Sequence, residues 1–151
     1  MPEWAKVYRE VRFDIDASHN PDIVGNMVDM GDIGQFDAIL CQHALEHLTF
    51  KDGVVALQEF RRVLNDGGFA MVLVPDLEGV RATDAQILET PAGWITGIDM
   101  IYGWQKSDNP FMEHKSGYVA ETMKKAFEDA GFSKIEVKRL TNYNLMAIGV
   151  K

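Results

Sequence analysis

The sequence predicts an α/β domain whose sheet contains parallel elements. Three observations carry that expectation. Short strand-like runs alternate with two segments of helical periodicity, the order from which parallel sheets are made. The run Phe69-Ala70-Met71-Val72-Leu73-Val74 is apolar without a break, as in a strand covered on both faces. Breakers close the runs: Gly67-Gly68, Pro75 and Gly131.

Taken in order, Val11-Arg12-Phe13-Asp14-Ile15-Asp16 alternates apolar and polar residues and meets Ser18-His19-Asn20-Pro21, a strand entering a turn. Residues 23–30 form a weaker strand candidate, closed by Gly31 and Gly34. Phe36-Asp37-Ala38-Ile39-Leu40-Cys41 has the length of a buried strand. Residues 52–64 then read as a helix, with Val54, Val55, Leu57, Phe60, Val63 and Leu64 on one stripe. Thr49 or Asp52 can cap its start. Asn65-Asp66-Gly67-Gly68 stops it, glycine supplying a left-handed cap.

Residues 78–110 show little periodicity. A short helix fits residues 82–88, and Trp94, Tyr102 and Trp104 stand among glycines and prolines. Such a segment is either a binding loop, its aromatics walling a pocket, or an irregular connection packed by those aromatics. Residues 119–130 form a second helix, with Val119, Met123, Ala126, Phe127 and Ala130 on one side. Two strands, 134–140 and 144–150, follow. Only Thr141-Asn142-Tyr143 joins them, so one of the pair is antiparallel.

The length of 151 residues suits a single domain, 1–151, with no repeat and no linker. Fifteen basic residues stand against 23 acidic ones, and no basic run exceeds a pair such as Arg61-Arg62. Nucleic acid and an anionic membrane are therefore not the expected partners. The longest apolar run, 69–74, is far short of the ~20 residues a membrane helix needs. The N-terminus has no apolar core of a signal peptide. Cys41 is the one cysteine and cannot form an intramolecular disulfide, so the expected compartment is the cytoplasm.

Three segments, in register, carry a resemblance. They are Phe13-Asp14-Ile15-Asp16; the run from Phe36-Asp37 through Leu45-Glu46-His47-Leu48; and Arg62-Val63-Leu64-Asn65-Asp66-Gly67-Gly68. Together they resemble class I S-adenosylmethionine-dependent methyltransferases, of the methyltransferase-11-like kind. The resemblance implies a Rossmann-like sheet with its last two strands antiparallel. It also implies S-adenosylmethionine and S-adenosylhomocysteine as cofactor and product, and a small-molecule acceptor. One departure stands out. The family opens with a strand and a glycine-rich turn ahead of its acidic strand, whereas the ten residues before Val11 contain no glycine. The expected sheet is therefore truncated at the N-terminus, lacking that first strand and turn. The acidic strand would then pair with the fourth strand or with another chain, and an unpaired central edge would offer a homodimer surface. A second reading follows: a catalytically inactive remnant acting through dimerisation or a partner.

The resemblance assigns candidate residues. Asp14 and Asp16 end the acidic strand, where a carboxylate accepts from ribose hydroxyls at the ligand edge of the sheet. The alignment favours Asp14, and the alternative for either is a turn cap. Asp29 and Met30, or Asp32 and Ile33, occupy the loop the family uses against adenine. Cys41 and Gln42 end the strand that meets the methionine end of the cofactor. His43 is a candidate general base, since imidazole titrates near working pH, and His114 stands where related enzymes face their substrate. The alternatives are a structural and a surface histidine. Glu46 and His47 read as packing and hydrogen-bonding residues. Cys41, His43, His47 and His114 include zinc-ligand types. Yet Cys41 sits on a buried strand, there is no second cysteine and there is no HExxH, so no metal is assigned.

Overall fold

A computed structural model describes residues 7–91, 93–105 and 109–151. Residues 1–6, part of the N-terminus read above as leaderless, lie outside these, as do 92 and 106–108 of the unreadable stretch. The apolar runs assemble as expected into an α/β sheet of four strands, in the order β3-β4-β8-β7. β3 (Phe36–Gln42) runs parallel to β4 (Leu64–Pro75). β8 (Asn144–Val150) pairs antiparallel with both β4 and β7 (Ser133–Leu140). Helices α1 (Phe50–Val63) and α3 (Ala120–Asp129) pack on each other and on this sheet. Leu57, Phe60, Val63, Met123 and Phe127 meet Val72, Val74, Leu145 and Ala147 in the core.

The continuous run in β4 is covered unequally. Ala70, Val72 and Val74 are fully buried beneath the helices, while Phe69, Met71 and Leu73 are half-buried. The two long helices share one face of the sheet, and the other is only partly roofed. Thr49 settles the choice of cap for α1: its hydroxyl oxygen accepts from the Asp52 amide at 3.2 Å. The helix thus starts at Phe50, two residues before the start the sequence predicts.

Three other elements differ from expectation. The strand expected over 11–16 shrinks to β1 (Phe13–Asp14), and that expected over 23–30 to β2 (Ile23–Val24). Asn26 ends the latter by accepting from the Val28 amide in an Asx turn. β1 and β2 form a separate parallel pair, so the acidic strand does not pair with β3. Among the described residues no strand runs between β1 and β3. The helix expected over 82–88 is instead a strand, β5 (Gln86–Thr90), in a hairpin with β6 (Gly93–Thr96). Thr90, Trp94, Ile95 and Thr96 suit a strand better than a helix, which accounts for the change. The short helix comes next, as α2 (Gly97–Tyr102), closed at its start by a Thr96–Asp99 capping box. No helix among the described residues is long and apolar enough to cross a membrane.

Candidate functional site

Two clefts meet at the C-terminal end of β3. The first, of about 1030 Å³, lies between the β1–β2 pair and β3. Arg12, Phe13 and Asp14 form one wall, and every residue from Phe36 to Gln42 lines the other. Among the described residues β3 pairs only with β4, and none forms a ladder on its opposite edge.

Asp14 is the polar residue that β1 brings to this cleft. One carboxylate oxygen accepts from the Asp16 amide at 2.9 Å and the other faces the His19 ring nitrogen at 3.1 Å. Partial burial pushes the carboxyl up, but those two hydrogen bonds outweigh it and hold it below the usual carboxylate range. A carboxylate has about four lone-pair sites, so each oxygen of Asp14 can still accept a further bond. The same hydrogen bond raises the pKa of His19. Asp16 accepts from the Ser18 amide at 2.9 Å, capping the turn Ala17–His19, and does not line the cleft.

The other candidates divide similarly. Asp29 is exposed and outside the cleft wall, whereas Met30 lines it. The Met30 amide donates to Glu59, a carboxylate clamped by Arg62 at 2.7 and 2.8 Å. Cys41 and Gln42 both line the cleft. Cys41 is buried, and burial pushes its thiol up to about 12, which leaves it unreactive and poorly suited to bind a metal.

The second cleft, of about 720 Å³, opens beyond the end of β3. His43 turns the chain into it. Its φ of 48° is left-handed, rare for a residue other than glycine, and its amide is fixed on the Leu73 carbonyl at 2.8 Å. Next comes a single 3-10 turn, Leu45–His47. The Glu46 carbonyl accepts from the amides of Lys115 and Ser116 at 2.9 and 3.1 Å. Nδ1 of His47 lies 2.9 Å from the Glu113 carbonyl. These bonds zip the turn to a strap at residues 113–116.

The strap is also tied to the far end of α2. The His114 amide donates to the Tyr102 carbonyl, and its Nδ1 lies 3.0 Å from the Met100 carbonyl. Gly103 makes the crossing possible: its φ is 77°, and a Cβ there would strike the Met112 carbonyl and His114. The result places the rings of His47 and His114 edge to face, 5.0 Å apart. Burial lowers the pKa of His114, so the neutral imidazole is favoured. Glu46 is 2% exposed, with one oxygen 3.5 Å from Nδ1 of His43 and the other without a hydrogen-bond partner.

The two expected bases, His43 and His114, thus share the second cleft. Of the three aromatics, Trp104 lines it, while Trp94 and Tyr102 are exposed and do not. Sequence reasoning missed the part Glu46 plays. The available signal was a Glu-His pair directly after a strand end, but the residues that complete the cluster lie some 66 positions further on. Asp76 and Arg139 also went unnoticed; their ion pair ties the residue just after β4 to β7 and lines neither cleft.

Residues 8–72, from before β1 into β4, match a family described as a methyltransferase domain. A sequence search among curated proteins finds no match. Solved structures give a likeness of fold. One is an O-methyltransferase family protein from Burkholderia thailandensis, with a TM-score of 0.61 and 11% identity over 92% of this chain and 42% of its own. Another is the S-adenosylmethionine-dependent methyltransferase SibL, at 0.62 and 11% over 97% and 45%. A third is human N-acetylserotonin methyltransferase in complex with SAM, at 0.60 and 15% over 92% and 39%. The chain spans less than half the length of each. Its fold is that of the class I methyltransferases. The family match covers residues 8–72, less than half of the chain, and the likeness to these structures is one of fold.

Proposed function

We propose that this chain binds the methyl donor and the acceptor of an S-adenosylmethionine-dependent methyltransferase acting on a small molecule. One observation carries the reading. Gln42 lines the first cleft and its neighbour His43 lines the second, so two bound molecules would meet across a single peptide. The human enzyme with this fold was solved with SAM, which supports the choice of donor.

S-adenosylmethionine supplies a methyl group on a sulfonium, and in-line displacement asks the protein chiefly for alignment and exclusion of water. Asp14 is placed to accept from the ribose hydroxyls, with Asp16 holding the turn behind it. Met30 would flank adenine, and Cys41 and Gln42 the methionine end, while Asp29 lies outside the cleft wall. His43 takes the proton from the acceptor as general base. His114 is the second candidate, since its Nδ1 faces a carbonyl and Nε2 is left as the basic nitrogen. The setting is the cytoplasm, and nucleic acid is not the acceptor.

Calorimetric titration with S-adenosylhomocysteine tests this directly. One-to-one binding that weakens in Asp14→Ala is the expected result; a folded protein that takes up none overturns the reading. His43→Ala should lower turnover with cofactor binding nearly intact. The edge of β3 that has no partner among the described residues favours the second reading, a non-catalytic domain working by strand addition. It expects no cofactor binding together with a concentration-dependent dimer in sedimentation velocity.

A further inference from the structure

We propose that Glu46, His47 and His114 form a site for one divalent transition-metal ion of the zinc type. A nitrogen of each ring and an oxygen of the carboxylate already lie within 4.8 Å of one another. At that widest spacing a central point is about 2.8 Å from each donor, so an inward shift of about 0.7 Å per ligand reaches zinc bonding distance. Two imidazoles and one carboxylate are a donor set that zinc and similar borderline ions take, whereas calcium and magnesium demand oxygens.

Three features distinguish this cluster from a chance meeting of polar side chains. Glu46 is 2% exposed, and its Oε2 is buried without any hydrogen-bond partner. A buried carboxylate oxygen left unpaired is costly, and a cation removes the cost. Next, both histidines present Nδ1 to a backbone carbonyl, of Glu113 and of Met100. That places the ring proton on Nδ1 and leaves Nε2 as the lone-pair nitrogen, the outer-shell arrangement typical of metal-binding histidines. Finally, the ligands are held by backbone and not by each other. The Glu46 carbonyl takes the amides of Lys115 and Ser116, so turn and strap stay together when the side chains are free.

The cluster opens on the second cleft, which leaves a fourth position for water or an oxygen of a bound molecule. Cys41, a ligand type on the same segment, takes no part: its thiol is buried on β3 and lines the other cleft. His43 faces Glu46 through the oxygen Oε1 at 3.5 Å and stays outside the ligand set. Where this bears on methyl transfer it rests on the function proposed above, for it makes His114 a ligand and leaves His43 as the base. The binding of the ion itself does not depend on that function.

The test is a titration of the chelator-treated 151-residue protein with cobalt(II), read in the visible d–d bands, followed by displacement with zinc. One equivalent should bind with the intense bands of a four- or five-coordinate ion, and zinc should remove them. Glu46→Gln and His114→Asn should each weaken binding by more than about tenfold, since loss of even an outer-shell partner costs that much. His19→Asn, beside Asp14 at the other cleft, should leave it unchanged. Circular dichroism and thermal melting verify that each variant is folded. If Glu46→Gln does not fold, His114→Asn decides, because its ring is only half-buried. Failure of the folded protein to bind one equivalent overturns the proposal. So does binding that survives His114→Asn or is lost in His19→Asn. Because S-adenosylhomocysteine plays no part, metal uptake without cofactor binding sinks the proposed function alone, and the reverse sinks this inference alone.

Discussion

The two clefts are built by opposite means. At the first, Asp14 is held by Asp16 and His19, partners two and five residues away. At the second, Glu46, His47 and His114 are brought together by backbone hydrogen bonds between segments more than 60 positions apart. A site of the first kind depends on one turn. A site of the second kind depends on the packing of the turn Leu45–His47, the strap at 113–116 and α2. Damage to the core should therefore reach the second cleft well before the first.

The largest expected effect follows from this difference. Leu45, next to Glu46 in the chain, is fully buried in the core, so Leu45→Ala should cost about 2–5 kcal/mol in chemical denaturation. The NMR signals of His47 and His114 should shift together while His19 keeps its titration. A His19 shift of equal size would break the comparison. Next, Asp14→Ala should weaken S-adenosylhomocysteine by roughly 1.5–3 kcal/mol, the scale of a charge-assisted hydrogen bond, with little change in melting temperature. Unchanged affinity would remove Asp14 from the cofactor site.

Smaller, but specific to the second cleft, is Gly103→Ala. Left-handed backbone and a collision with the strap should destabilise the fold by more than about 1 kcal/mol, read by thermal unfolding, and disturb His114 before His19.

The smallest effect is in pH. In metal-free protein the His114 ring should titrate below the ordinary imidazole value, because burial disfavours its charge, and His19 above it, because Asp14 favours the charge. For His114 the unfolded chain takes up the proton first. Its contribution to stability is therefore present above the ordinary value and lost as pH falls through its lower folded value. For His19 the folded chain holds the proton longer, so the gain is present below the ordinary value and lost as pH rises through the raised one. NMR titration of the histidine ring protons separates the two, and equal midpoints would contradict the contrast.

Much of the framework was legible in the sequence because its causes are local. The stripe of Leu57, Phe60 and Val63 made α1, with Thr49 as its cap. The unbroken run 69–74 made the buried part of β4, and the three-residue link at 141–143 made the antiparallel pair β7–β8. The antiparallel pair β5–β6 was missed because its strands alternate weakly, which composition alone reads as irregular. Asp14 lines the first cleft while Asp16 caps the turn after it, a difference that follows from their places at and just beyond the end of β1.

The sequence by itself determined α1, α3, β3, β4, β7 and β8 and their order. Spacing and capping act over a few residues, where the backbone has few alternatives. Only the tertiary structure decided that Glu46 is buried with an unpaired oxygen, that His114 lies against His47 and that Cys41 stays outside their cluster. Those facts depend on which carbonyl each strap amide finds, and such long-range pairing leaves no periodic mark in the sequence.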